Sequence, residues 1–343
     1  MALRDEILEQ KVSIKALLDK QADPIQSIAK SIGKPSGILI AARGTSDNAA
    51  RYAKYVWGYN NQIPVALAAP SLFSVYGKPP LLGDNLVVGI SQSGESPDLL
   101  AVLAEANRQG CPTLAITNQP DSPLGIEATH VIDIQAGPEL SVAATKSYTA
   151  QLGAIAMLSA VWKEDPKLTE QLAELPDFIK GIFEHENQIQ IYASRYRYMD
   201  QCVVLGRGFN YATAFEWSLK LKELTYVVAQ PYSSADFLHG PIALVSSGFP
   251  VFAVAPQGVV LEDMAALLKT LKEGHRAELF IISDNQDLLQ LADCPLPLPE
   301  GIPEWLSPLV AIIPAQLFTY HLTLIKGINP DTPRGLKKVT LTK

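Results

Sequence analysis

Apolar and polar positions alternate along the chain in blocks of two kinds. Short apolar runs ending in turn residues occur at 37–42, 64–68, 86–90, 112–116 and 130–134. Between and after them, 48–59, 101–109 and 145–162 carry apolar residues at helical spacing. Short continuous apolar runs bounded by turns read as strands buried on both faces, and strands separated by helices imply a parallel sheet built from βαβ units. Ahead of this pattern, Ile7, Leu8, Val12, Ile14, Leu17 and Leu18 are interleaved with charge and predict an amphipathic helix over 6–18, followed by a short helix over 25–32. A polar, helical stretch over 166–194 follows, and then the pattern begins again. Strands are expected at 202–206, 250–255, 278–282 and 294–298, with helices at 212–228, 261–273 and 306–325. Ile40-Ala41-Ala42-Arg43-Gly44-Thr45 and Val204-Leu205-Gly206-Arg207-Gly208-Phe209 share an Arg-Gly turn after an apolar strand, which suggests internal duplication. The expected fold is α/β: two doubly wound, flavodoxin-like parallel-sheet domains related by pseudo-symmetry. The chain divides into a helical segment over 1–34, a first domain over 35–190 and a second over 191–343.

Composition narrows the partners. A length of 343 residues suits about two domains. A net charge of -7 argues against nucleic acid or an anionic membrane as the main partner. The longest apolar runs read as too short, or too interrupted by polar groups, to span a bilayer, and the charged N-terminus has no signal-peptide core. Cys111, Cys202 and Cys294 are odd in number and lie in or beside apolar segments, so buried thiols fit better than disulfides or metal ligands. A reducing, cytoplasmic setting follows from that reading.

The candidate chemistry begins where the run at 86–90 ends. Ser91-Gln92-Ser93-Gly94-Glu95-Ser96 offers hydroxyls, an amide and backbone N–H groups just before a helix, and Gly94 lets the backbone approach a ligand. A helix N-terminus adds unpaired N–H groups and a favourable dipole, so an anion such as phosphate fits there. The alternative is an ordinary serine-rich turn with Ser96 as N-cap and Pro97 at N1. The corresponding stretch of the second half, 254–258, has no hydroxyl, so one such cradle per chain is expected. For proton transfer, Ser218-Leu219-Lys220-Leu221-Lys222-Glu223-Leu224-Thr225-Tyr226 places Lys220 three residues before Glu223 on an otherwise apolar helix. The alternatives are a surface ion pair and a partly desolvated carboxylate base. His239 sits in a loop bounded by Gly240 and Pro241, a setting the other four histidines lack. The tail Pro333-Arg334-Gly335-Leu336-Lys337-Lys338 is either a solvated basic end or a segment that delivers a lysine to a site. No spacing of His, Cys, Asp or Glu suits a metal, and neither a Walker A loop nor a dinucleotide fingerprint is present, so no metal or cofactor is expected.

Taken in order, Arg43-Gly44-Thr45-Ser46, the Ser91–Ser96 loop, Ser141-Val142-Ala143-Ala144-Thr145-Lys146, Leu219-Lys220-Leu221-Lys222-Glu223, Leu238-His239-Gly240-Pro241 and the 333–338 tail resemble the tandem sugar-isomerase (SIS) family over nearly the whole chain. The likeness is to the isomerase half of glutamine–fructose-6-phosphate aminotransferases. It implies that Ser46, Ser91, Gln92, Ser93 and Ser96 hold a sugar phosphate, with Ser96 where the family usually has Thr. It implies that Thr45, Val142 and Lys220 line the sugar site, with Val142 presenting backbone and Lys220 a charge partner. Glu223 would move a proton between C1 and C2. His239, reaching the site of a neighbouring subunit in a homodimer, and Lys338 would open the ring. Lys337 departs from the small residue usual before that lysine. Residue 2 is Ala, where the synthase family has its glutaminase cysteine, so a complete synthase is not expected. The resemblance then points to a type II glucosamine-6-phosphate deaminase, converting glucosamine 6-phosphate and water to fructose 6-phosphate and ammonia. A fructosamine-6-phosphate deglycase, a phosphosugar isomerase without amine loss and a non-catalytic amino-sugar-phosphate sensor are the alternatives.

Overall fold

The computed structural model of the chain describes residues 1–338. Two all-parallel sheets of five strands are present. The first holds β1 (Ile38–Ala42), β2 (Val65–Leu67), β3 (Leu86–Ser91), β4 (Thr113–Thr117) and β5 (His130–Asp133) in the order β2-β1-β3-β4-β5. The second holds β6 (Gln201–Gly206), β7 (Val228–Ser233), β8 (Pro250–Val254), β9 (Glu278–Ser283) and β10 (Cys294–Pro297) in the order β10-β9-β8-β6-β7. Counted from its own first strand, each sheet runs 2-1-3-4-5, the doubly wound flavodoxin-like order. All six residues of β3 and all five of β4 are buried, as two-face burial of a central parallel strand requires.

Helix-flanked cores form on each sheet separately. In the first, Leu99, Val102, Leu103 and Ala106 of the Pro97–Arg108 helix pack with Val87 and Ala115. In the second, Met264, Leu267, Leu268 and Leu271 of the Leu261–His275 helix pack with Val251, Leu279 and Ile281. The chain forms two compact units. One comprises Glu9–Leu140 and Ala144–Pro176, with Lys337 and Lys338; the other comprises Met1–Leu8, Ser141–Ala143 and Asp177–Leu336. The chain passes from one unit to the other at Pro176–Asp177, among other points, and the first helix, Ala2–Leu8, groups with the second sheet. There its opening N–H groups donate to Asp331 at 3.3 Å (Ala2) and 3.0 Å (Leu3), and Arg4 makes two 2.7 Å bonds to Glu186.

Three elements differ from the sequence expectation, each for a physical reason. The short helix at 25–32 is the end of one helix, Gln10–Ile32, with Pro24 inside it. A proline there removes one helical hydrogen bond. The buried stripe Ile14, Leu17, Gln21, Ile25 and Ala29 runs past it at helical spacing and holds the helix together. The helix expected over 212–228 ends early: Tyr211–Lys220 is α-helical, Leu221–Thr225 forms a turn of π-helix, Tyr226 turns back with φ 59, and β7 follows. Among the described residues β7 pairs only with β6, and an edge strand tolerates Pro231. Finally, the apolar stretch at 304–325 is long and apolar enough to cross a membrane by length and composition, contrary to the reading of its runs as too short or interrupted. Within it, 89% of the apolar window is buried in the protein, so it is a core helix, apolar all round because it is enclosed all round.

Candidate functional site

In an open parallel sheet, ligands bind beyond the carboxyl ends of the strands where the strand order reverses. In the first sheet that point lies between β1 and β3. β1 leads into Arg43-Gly44-Thr45-Ser46 and β3 into Ser91–Ser96, so topology alone brings both hydroxyl-bearing turns to one edge. An ion pair with a buried carboxylate and a half-exposed guanidinium joins them: Arg43 donates to Asp98, both its Nε and its guanidinium NH2 lying 2.7 Å from the same carboxylate oxygen. Asp98 is fully buried in the first turn of the Pro97–Arg108 helix, two residues after the serine loop.

The hydroxyls of this edge are oriented. Ser91 Oγ accepts the Gly94 N–H at 3.0 Å, Ser93 Oγ accepts the Glu95 N–H at 3.4 Å, and Ser46 Oγ accepts an N–H of the Gln151 amide at 3.0 Å. A hydroxyl that accepts from the protein keeps its own proton to donate elsewhere, which is what an anion requires. Ser96 stands at the N-cap position with Pro97 after it, but its side chain makes no capping bond. The serine-rich turn therefore has the backbone of a capped helix start while leaving that hydroxyl out of the cap. Gly94 is required both by its own backbone and by a neighbour outside the loop. Its φ is +66, and a Cβ there would lie 1.9 Å from Ser122 Oγ. Gln92 is half-buried, and its carbonyl accepts the Asn118 N–H at 3.2 Å, fixing the loop to the end of β4. Thr45 and Ser46 lie in the first turn of the Gly44–Asn61 helix, where Gly44 takes φ +52.

The equivalent edge of the second sheet is closed by the protein's own carboxylates. After β8, the Gln257 N–H donates to Asp284 at 2.6 Å and the Val259 N–H donates to Glu304 at 2.9 Å. A Cβ at Gly258 would sit 2.1 Å from Glu304 Cδ, so the side chain of Glu304 lies directly against the loop. The Arg-Gly turn keeps its ion pair here too, Arg207 with Asp263 at 3.1 Å, in the place that Arg43 and Asp98 hold in the first sheet.

The proton-transfer candidates in the second unit are well formed. Lys220 is 2% exposed, and its Nζ lies 2.5 Å from Glu223 Oε2 and 3.4 Å from Glu216 Oε1. Glu216 is fully buried, whereas the Glu223 side chain is 23% exposed, because the π turn rolls it off the buried face of the helix. Such turns recur at functional positions. Burial pulls the neighbouring Lys222 ammonium down from its ordinary range, against an upward pull from Glu223. Tyr226, three residues on, holds the tail: its hydroxyl accepts the Arg334 N–H at 2.8 Å and its ring lies 4.0 Å beneath the guanidinium. His239 is exposed at the end of the short Ser234–Leu238 helix, its N–H bonded to the Asp236 carbonyl. Val142 is half-buried, and the adjoining Ser141 N–H donates to Glu6 at 3.2 Å.

One partner escaped the sequence reading. Lys338 donates to Glu139 at 3.0 Å, and the Glu139 side chain is fully buried. Burial alone would raise that carboxyl; the Lys338 charge and bonds from Thr145, Ser147 and Lys338 outweigh it and hold the group below its usual range. No local pattern marks Glu139, because its partner is 199 positions away. The three cysteines are buried and unpaired, and burial pushes the Cys202 thiol far up, out of the nucleophile's range. Among the described residues no group of three or more His, Cys, Asp or Glu is placed to hold a metal ion.

A repeated 2-1-3-4-5 parallel sheet with a hydroxyl-lined loop at one switch point defines the class: a tandem α/β protein. The chain belongs to the SIS domain family, whose profile matches residues 31–160 and 196–326. It is 34% identical over 348 residues to the isomerizing glutamine–fructose-6-phosphate aminotransferase of Thermococcus kodakarensis, covering 97% of this chain and 56% of that protein. The chain thus spans little more than half the length of such relatives. Among solved structures, the C-terminal domain of glucosamine-fructose-6-phosphate aminotransferase from Francisella tularensis superposes with a TM-score of 0.89 at 30% identity, covering 97% of this chain and 98% of that one. The glucosamine-6-phosphate deaminase of Thermotoga maritima shares the fold, with a TM-score of 0.78 at 21% identity and full coverage of both chains.

Proposed function

We propose that this chain is a phosphosugar isomerase-type enzyme that releases amine: glucosamine 6-phosphate and water give fructose 6-phosphate and ammonia. The observation that carries the reading is the Lys220–Glu223 pair. A group that takes a proton from carbon must be held in one place and still be reachable by substrate. Glu223 meets both conditions, pinned by a buried ammonium and left partly exposed by the π turn. Support for sugar-phosphate chemistry comes from the oriented hydroxyls of Ser46, Ser91 and Ser93 and from relatives named as isomerizing aminotransferases.

In this reading Ser46, Ser91, Gln92, Ser93 and Ser96 hold the phosphate, Thr45 and Val142 line the sugar, and Lys220 holds Glu223. His239 and Lys338 assist ring opening to the aldehyde. Glu223 takes the C2 proton of the open-chain amino sugar, and the C–H electron pair forms the C1–C2 double bond as the C1 carbonyl opens and its oxygen takes up a proton. The same carboxyl returns the C2 proton to C1 while the nitrogen lone pair forms the C2–N double bond and an N–H proton is lost to solvent. The product is the 2-imine. Water adds at C2, the C–N bond breaks, and the ketose and ammonia leave. His239 serves the site of a second copy in a homodimer. Assay of ammonia and fructose 6-phosphate from glucosamine 6-phosphate, with fructosamine 6-phosphates and unaminated aldose 6-phosphates alongside, tests the reaction. Turnover of only the fructosamine 6-phosphates makes it a deglycase, isomerisation without ammonia makes it a simple isomerase, and binding without turnover makes it a sensor.

A further inference from the structure

The four bonds to Glu139 divide between its two oxygens. Oε1 accepts the N–H groups of Thr145 at 2.9 Å and Ser147 at 3.1 Å. Oε2 accepts the Ser147 hydroxyl at 2.7 Å and the Lys338 ammonium at 3.0 Å. A carboxylate has about four acceptor sites, so every one is used. Three donors belong to the start of the Lys146–Lys163 helix, whose N-cap residue Thr145 makes no side-chain cap of its own. Glu139 caps that helix from outside, where a negative charge is favoured. The fourth site faces the tail. A carboxylate serving only the helix would have no need of a lysine from the other end of the chain.

We propose that Glu139 is the positioning residue of the tail lysine: one buried carboxylate both caps the Lys146–Lys163 helix and fixes Lys338 in place. The role of Lys338 in ring opening rests on the reaction proposed above; the Glu139–Lys338 assignment does not. Because Glu139 takes both helix N–H groups on one oxygen, Glu139→Gln separates the two tasks. A Gln oxygen keeps the Thr145 and Ser147 N–H groups, and its NH2 can donate to the Ser147 hydroxyl but offers nothing to an ammonium.

The test is the reactivity of Lys338 toward reductive methylation by formaldehyde and borohydride, read by mass spectrometry against its exposed neighbour Lys337 in the same molecule. In the native wild-type protein Lys338 is expected to be modified at least about fivefold more slowly than Lys337. That difference should vanish in urea and fall by about fivefold in Glu139→Gln. Equal modification of the two lysines in the native wild-type protein overturns the proposal without recourse to any variant, and an unchanged ratio in folded Glu139→Gln overturns it too. In catalysis, Glu139→Gln should lower kcat about tenfold or more with KM within about twofold, as Lys338→Met should. The two changes combined should cost little more than either alone. If wild-type protein releases no ammonia while the lysine ratio still responds to Glu139, the reaction assignment fails and this one stands.

Discussion

Lys220 Nζ lies 2.5 Å from Glu223 Oε2 and 3.4 Å from Glu216 Oε1, so one nearly buried ammonium holds two carboxylates of very different exposure. Glu216 is enclosed and balances the buried charge; Glu223 reaches out of the π turn. A surface Lys–Glu pair at the same sequence spacing contributes little and fixes nothing. Burial of Lys220 is what turns an ordinary helical spacing into a located carboxylate.

Phosphate contacts are made in both ground and transition states, so their loss should weaken binding more than turnover. Ser91→Ala and Ser46→Ala are each expected to raise KM for the phosphorylated sugar by about tenfold or more with kcat within about threefold, the size of one hydrogen bond to a charged group. Steady-state kinetics on both variants checks this, and an unchanged KM counts against the phosphate assignment.

Gly94→Ala should both destabilise the fold and raise KM, because its Cβ would meet Ser122 Oγ at 1.9 Å and its φ is +66. Left-handed backbone and displacement of Ser122 together suggest a loss of about 1–3 kcal/mol. Adding Ser122→Ala should recover only part of it, since the φ strain persists and the Ser122 cap on Gly125 is lost. Denaturant unfolding of the single and double variants measures both effects.

If His239 serves a neighbouring subunit, inactive His239→Ala and inactive Glu223→Gln chains should complement. A fully exchanged equimolar mixture is expected to regain about a quarter of wild-type activity, because about half of its dimers are mixed and each mixed dimer has one intact site of two, following the symmetry of an isologous dimer. No recovery despite demonstrated subunit exchange would show that each chain uses its own histidine.

The Glu139 carboxyl is held below its ordinary value of 4.5 in the folded chain, despite burial, by Lys338 and the start of the Lys146–Lys163 helix. A group with a lowered folded pKa adds stability above its unfolded value, and that stability is lost as pH falls through the folded value. Wild type should therefore have the higher Tm relative to Glu139→Gln at pH 7. The gap should narrow as pH drops below about 4.5, where protonated Glu139 comes to resemble Gln. A gap that holds constant into acid would mean that Glu139 is not charged in the fold.

Local signals carried much of this structure and non-local ones the rest. The strand ending at Ser91, the Arg-Gly turns and the serine loop were legible because each is a short strand–turn–helix sentence. β7 was not, because the apolar helix before it reads on without a break through Tyr226, and Pro231 argues against a strand unless the strand is known to lie at an edge. The separate helix expected over 25–32 is instead continuous with the one before it, because the buried stripe from Ile14 to Ala29 runs past Pro24. Glu139 was invisible as a partner for Lys338, since only the folded chain brings the two together. The carboxylates of Asp284 and Glu304 against the 257–259 loop likewise show in space what the sequence shows only as missing hydroxyls.

In the proposed reaction Glu223 moves a carbon-bound proton in an amine-releasing isomerisation. Coupled measurement of ammonia and fructose 6-phosphate from glucosamine 6-phosphate, on wild type and Glu223→Gln, tests it most directly. Wild type is expected to release both products in equal molar amounts, and the variant to show a fall of about a hundredfold or more in kcat with KM within about threefold. Near-wild-type turnover by Glu223→Gln, or no ammonia from the wild-type protein, would contradict it.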